Sequence, residues 1–367
     1  MLRKLNTFGI FIFAMVLTLQ QSFSNETITL LDRGELHPSM IADNGVFWIG
    51  HSRRQFNSEY RLEVYTPEGK LIDQAPMSHS LIMMKKAGSN LIMMTGINPN
   101  SQLTEYTTAK LENGKIRLRT TQINLGGFIT FWIGALGNRH YFVDMGGNPD
   151  DTTTNLSLPA QTIFSSTGSN ATYLNSRVRM PVAGTLLNNK LLLVSSQGIG
   201  MDAGSIVEVD PRSSAIRVLL TSKEARFKGL EVIPGTTHLV TSASALNKLI
   251  ILDSASGQIR RELPTLGYTR AFVLTGHCLI AGNDETNTIE VFDLNSKEDK
   301  AIITENVKMA AAEFSGIKQI AVDNATGTVF ARSNFSCNPM TTTCDKDYNR
   351  VITFGTTVAE NVRKLCH

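Results

Sequence analysis

The chain has 367 residues, a formal net charge of +3, 18% charged and 42% hydrophobic residues, and 28 glycines. That is long enough for two ordinary domains or one large closed one, and too apolar for a disordered chain. The small net charge leaves no electrostatic footprint for nucleic acid or an anionic membrane, so neither is an expected partner.

The first residues read MLRK, then the apolar run Phe8 to Leu19, then QQSFSNE with Ser22 and Ser24 two apart. A charged start, a short greasy middle and small residues at a cleavage point describe a secretory signal peptide, residues 1–24, and the greasy run is short for a membrane span. A mature chain from Asn25 onward, residues 25–367, is expected to be secreted or periplasmic, with no transmembrane segment after signal removal. The residue directly after the cut is Asn25 and not a cysteine, which argues against a lipid anchor.

TITLLDR (Thr27 to Arg33) alternates like a strand and stands alone, and SMIADNG with VFWIGHS (Ser39 to Ser52) forms an apolar pair. EVYTPEGKLI from Glu63 then reads as a half-exposed hairpin. In LIMMKKAGSNLIMM (Leu81 to Met94) an apolar tetrapeptide occurs twice around the polar KKAGSN. Strands apolar on both faces are covered on both, so this is read as an inner hairpin turning at KKAGSN. TAKLENGKIRL from Thr108, with its Asn-Gly turn, is an outer one.

Outer hairpins recur at Thr162 (TIFSSTGSNATYL), Val207 (VEVDPRSSAIRVL), Ile250 (IILDSASGQIRREL), Glu290 (EVFDLNSKEDKAII) and Val351 (VITFGTTVAENVRKL). Apolar strands precede them, such as LLLVSS at Leu191, HLVTSA at His238, HCLIAG at His277 and TVFARS at Thr328. Four strands per unit, repeating about every 40–60 residues, predict an all-β chain: a single β-propeller domain of seven four-stranded blades, with six or eight left open by the irregular third and seventh units. A ring needs its ends joined, and Thr27 to Arg33 is expected to complete the last blade, with the tail Asn361 to Cys366 competing for that place.

LIILDSASGQIRRELP (Leu249 to Pro264) and GIKQIAVDNATGTVFA (Gly316 to Ala331) resemble repeats of secreted propellers related to the YVTN, NHL and quinoprotein-dehydrogenase-like families. The resemblance covers most of the mature chain as a pattern. It implies seven blades around a central channel and leaves function open, because such propellers include enzymes, binding platforms and scaffolds.

Propeller topology puts the second-to-third connections and the links between blades on one face. The longest second-to-third connections are His51 to Tyr60, Met145 to Ala160, Ser196 to Gly204 and Arg332 to Asn349, so that face is where binding is expected. Its candidate ligand-binding residues are Arg53 and Arg54, a clamp for carboxylate or phosphate, with Asp150, Asp151 and Asp202. NPDDTTTN lacks the acidic alternation of an EF-hand loop, and no metal site is assigned. Met77, His79, Met83, Met84, Met93 and Met94 have the donor types Cu(I) prefers, but methionine fills cores, and core packing is the reading taken.

No G-x-S-x-G elbow or H-E-x-x-H spacing occurs, so no catalytic residue is assigned. In lactonase-like propellers carboxylates and amides ring the channel mouth, a role open to Glu231, Asp284 and Glu313. The cofactor is unknown; a quinone would want a stacking Trp, and Trp48 and Trp132 both sit in apolar strands. In an exported chain Cys337 and Cys344 are expected to form a local disulfide, Cys278 to be a buried thiol, and Cys366 to compete for either loop cysteine. Sequons at Asn25, Asn155, Asn170, Asn324 and Asn334 matter only in a glycosylating host.

The expected function is an interaction platform for an envelope or extracellular protein or glycan. The alternative is a propeller enzyme, a metal-dependent lactonase or hydrolase or a quinoprotein-like oxidoreductase.

Overall fold

The computed structural model describes residues 28–32, 36–52, 60–79, 81, 83–88, 91–98, 104–123, 130–144, 162–166, 171–174, 178, 181–195, 204–306, 316–333 and 350–367. The leader 1–24 lies outside the described residues, as do Arg53, Arg54, Asp150, Asp151, Asp202, Glu313, Cys337 and Cys344.

Apolar strands joined by tight polar turns build seven antiparallel sheets of four strands, the propeller expected from the repeat. A short strand, β1 (Ile28–Asp32), precedes the first complete blade, β2 (Leu36–Asp43), β3 (Val46–Ser52), β4 (Tyr60–Tyr65) and β5 (Leu71–Met77). Blade 2 is β6 (Met83–Gly88), β7 (Leu91–Ile97), β8 (Thr104–Glu112) and β9 (Lys115–Ile123). Blade 3 is β10 (Thr130–Leu136), β11 (Arg139–Asp144), β12 (Thr162–Ser166) and β13 (Ala171–Leu174). Blade 4 is β14 (Pro181–Leu187), β15 (Lys190–Ser195), β16 (Gly204–Val209) and β17 (Ile216–Ser222). Blade 5 is β18 (Phe227–Val232), β19 (His238–Ala243), β20 (Lys248–Asp253) and β21 (Ile259–Pro264). Blade 6 is β22 (Thr269–Thr275), β23 (Cys278–Asn283), β24 (Thr288–Asp293) and β25 (Ile303–Asn306). Blade 7 runs β26 (Ile317–Val322), β27 (Val329–Ser333), β28 (Arg350–Thr353), and its fourth place is taken by β1.

The first strand of each blade faces the channel, and β26 packs against β2 to close the circle. β1 pairs antiparallel with β28, Ile28 opposite Thr353 and Asp32 opposite Arg350, so the beginning of the propeller covers the last blade's free edge. Burial follows strand position. In β23 every residue is buried, whereas in β17 most of the first half is exposed. The second strands of the middle blades therefore read as continuous apolar runs and the outer strands do not.

Three expectations need correction. The tail Thr356–Cys366 is an α-helix, not the return strand of a hairpin. Val358, Val362 and Cys366 recur at four-residue spacing and are the residues it buries, a helical period that an outer-hairpin reading overlooks. Cys278 is not a free thiol: it is disulfide-bonded to Cys366, because the helix runs back across blade 6 and ends over β23. Finally, the first inner strand of that pair is offset from the first LIMM. β6 begins at Met83 and takes in Lys85, Lys86 and Gly88, the last at φ 149°, so half of KKAGSN belongs to the strand. The charged pair belongs to the innermost strand because that strand borders the channel, where long cations can reach polar partners.

The methionines are core. Met93 and Met94 are buried, Met94 sits opposite Met84 in the ladder, and Trp48, Leu62 and Ile92 surround that pair. His79 is also buried and is held by Thr107 at 2.7 Å.

Candidate functional site

Each innermost strand starts on the long-loop face and runs toward the tight-turn face. The strand ends flanking the long connections, Ser52 and Tyr60, Asp144 and Thr162, Ser195 and Gly204, Ser333 and Arg350, all lie on that first face. The connections between those ends, which carry Arg53, Arg54, Asp150, Asp151, Asp202 and the pair Cys337 and Cys344, lie outside the described residues. On the opposite face most reversals are short, several with left-handed residues such as Asn44, Asn113 and Asn188, while the one between β24 and β25 spans residues 294–302.

Between the blades lies a cavity of about 420 Å³ bordered by blades 1, 2, 5, 6 and 7, with Met40, Met84, Lys85, Glu231, Phe272 and Gln319 on its wall. Lys85 Nζ reaches the carbonyl of Gly184 on β14 at 2.9 Å, spanning from blade 2 to blade 4. Lys86 pairs with Asp43 of blade 1 at 2.8 Å. Gln319 donates to Ser39 Oγ and to the Met40 carbonyl, both at 3.3 Å, while its own Oε1 is buried without a hydrogen-bond partner.

The mouth on the long-loop face is shaped by β-bulges. The ladder slips between Lys228 and Glu231 in β18, between Thr269 and Ala271 in β22, and between Ile317 and Gln319 in β26. A bulge re-aims the extra residue. Arg270 and Lys318 are the extra residues in blades 6 and 7, and Lys228, still paired with Ser242, borders the bulge of blade 5. Lys228 is followed by Gly229 at φ 66°, where an added Cβ would stand 2.7 Å from the Phe272 ring, so this bulge needs glycine. Lys318 is neutralised by Asp284 on the turn of blade 6. Arg332 on β27 stands opposite Gln319, and its Nε is buried with no hydrogen-bond partner.

The charges at this mouth repel one another. Burial, then Arg270, then Arg226 hold Lys228 below the ordinary lysine value. Burial, followed by Arg270, pushes Arg332 down to about 10.

Buried glutamates secure the same face and were missed in the sequence. Glu105 on β8 accepts from Ser78 Oγ at 2.6 Å, Gln122 Nε2 at 2.7 Å and Asn98 Nδ2 at 2.8 Å. Burial pushes its carboxyl up, but those hydrogen bonds and nearby His79 outweigh it, so the group lies below the ordinary value and stays ionised. Glu290 on β24 takes Asn283 Nδ2 at 2.6 Å and the Leu266 amide at 3.0 Å, tying the link between blades to the third strand. The signal was a glutamate near the start of third strands, as in EVY and EVF, where an apolar core residue would otherwise stand. Saturated with donors, these carboxylates are anchors. Glu231 borders the cavity and Asp284 is bound to Lys318, so the two do not converge as a catalytic pair.

No family model matches the chain, and no curated protein sequence matches it. Among solved structures it is similar to the Dos1 propeller, with 10% identity, 90% of this chain and 94% of that one covered, and a TM-score of 0.57. It is also similar to Sqt1 of Saccharomyces cerevisiae, with 12% identity over 91% and 97% of the two chains and a TM-score of 0.51. A chain of the nidogen/laminin complex is similar at 16% identity, with 73% and 92% covered and a TM-score of 0.51. Likeness at such identities establishes the propeller fold and no activity.

Proposed function

We propose that the protein is an exported interaction platform that holds an envelope or extracellular protein or glycan on its long-loop face. The observation that carries this reading is the asymmetry of the two faces: the longest connections, after β11 and β27, leave and re-enter on one, and most connections on the other are short turns. The apolar leader 1–24 and the Cys278–Cys366 disulfide support an oxidising destination, since thiols stay reduced in most cytosols. The nidogen/laminin structure, a complex by its name, is a precedent for a propeller of this kind in a protein assembly.

In this reading Arg53 and Arg54 contact the partner, with Asp150, Asp151 and Asp202 on the same rim. Capture of partners from the producing cell's envelope or medium tests it. The Arg53→Ala/Arg54→Ala variant should recover less partner at unchanged melting temperature, because exposed charges contribute little to stability. A Glu68→Ala/Lys297→Ala variant on the tight-turn face should recover as much as the wild type. Loss confined to the Glu68/Lys297 variant would place recognition on the other face. N-terminal sequencing of the native protein should begin near Asn25, and a chain retaining residues 8–19 would contradict export by cleavage.

A further inference from the structure

The channel mouth of blades 5 to 7 gathers like charges at a place where the fold had other choices. The bulge of β22 presents Arg270, Lys228 stands in register with Ser242 at the edge of the β18 bulge, and β27 adds Arg332. Lys318 in the third bulge has its own carboxylate, Asp284. Among the described residues no carboxylate forms an ion pair with Arg270 or Arg332, and Arg332 Nε is buried with its hydrogen-bonding capacity unused. A buried donor without a partner is destabilising, and an incoming anion would relieve that.

From this geometry we infer that the mouth is a receptor for an acidic polypeptide segment, with Lys228, Arg270 and Arg332 as its cationic contacts. The inference rests on the platform reading and names the chemistry of the partner. Packed sheets lie about 10 Å apart, so cations on three neighbouring blades spread over more than one small anion can span. Successive acidic side chains on an extended segment match such an arc. The exposed apolar side chain of Leu266, at 58% relative exposure on the link between blades 5 and 6, stands on the same face and suits the uncharged residues of that segment. The whole chain has a net charge of only +3, so the attraction is local to the mouth and selects no general polyanion. The depressed Lys228 and Arg332 are the cost of assembling the site before its ligand arrives.

The test uses the purified full chain and three probes: a fluorescein-labelled peptide of alternating glutamate and serine, its lysine-for-glutamate counterpart, and inorganic phosphate. The glutamate peptide should bind, more weakly as salt rises; the lysine peptide should not bind, and phosphate at equal charge should not displace the glutamate peptide. Arg270→Ala should weaken peptide binding about tenfold, the value of one charge-assisted hydrogen bond. Arg332→Met should weaken it similarly at an unchanged or higher melting temperature, which separates lost recognition from misfolding, and Lys297→Ala should change nothing. Absence of glutamate-peptide binding, displacement by phosphate, or full binding by Arg270→Ala would overturn the inference. If Arg270→Ala binds no peptide and Arg53→Ala/Arg54→Ala still captures its partner fully, the receptor stands and the proposed arginine rim falls. If Arg270→Ala binds peptide as the wild type does while the Arg53/Arg54 variant loses its partner, the platform stands and the receptor falls.

Discussion

Single side chains in this propeller divide into anchors and unspent groups. Asp253 and Asp323 make the same turn in two blades: each carboxylate takes the Ser256 or Thr326 hydroxyl and nearby amides, and each carbonyl takes the amide of Gly257 or Gly327. Asp323 also accepts the Gly45 amide at 2.9 Å, joining blade 7 to blade 1. Asp323→Ala should therefore cost about 2–3 kcal/mol in urea unfolding, since buried donors lose a charged acceptor. The Ser256 amide and then its hydroxyl lower the Asp253 carboxyl from 3.8 to about 2. A folded value below the unfolded one stabilises above the unfolded value and is lost as pH falls, so the gap in melting temperature between wild type and Asp253→Ala should be full near neutrality and close between about pH 4 and pH 2. Arg332 is the opposite case. Its Nε has no partner, and Arg332→Met should leave stability equal or higher, as replacement of a poorly compensated buried charge often does.

Among the elements, the C-terminal helix shows how a short amphipathic segment can lock two blades. Val358, Val362 and Cys366 enter the core shared by Ile280, Val322 and Ile352. Its fit depends on two glycines in the turns beneath it: a Cβ on Gly276 would lie 1.8 Å from the Cys366 carbonyl oxygen, and one on Gly327 would lie 2.3 Å from that of Ala359. Both are backbone contacts that cannot swing aside. Gly276→Ala should lower the melting temperature more than Gly137→Ala, which has open space at its Cβ and a similar positive φ. The Cys278–Cys366 bond closes a loop of 88 residues, so Cys366→Ser should cost about 2–4 kcal/mol while the ring still forms, seen as an early helical transition in circular dichroism. The repeat of alternating strands was legible because outer strands must show one polar and one apolar face. The helix was not, because eleven residues with three buried positions carry little periodic signal and follow a real strand. The cationic mouth was hidden for a different reason: the bulges beside Lys228, at Arg270 and opposite Arg332 are irregularities of pairing, not of composition.

For the whole molecule, closure and the inequality of the faces are the two properties that matter. Six of the seven outer hairpins read from the chain are present, and the closing strand Thr27 to Arg33 could be placed only by asking what covers the last edge, which β1 does by pairing with β28. Leu31 pairs with Val351 in that ladder, and Leu31→Pro should open the ring, giving self-association through the freed edge of β28 in size-exclusion chromatography. The residues proposed for the rim sit between strands whose ends could be assigned to one face, whereas their mutual geometry depends on long connections that repeat periodicity does not describe. Recognition on the long-loop face is the proposal on which the functional expectations turn. Its most direct test is photo-crosslinking in the producing cell, with the crosslinking residue placed at Leu266 on that face or at Asn295 on the tight-turn face. The account predicts a discrete partner adduct from position 266 and none from position 295; an adduct from 295 alone would contradict it.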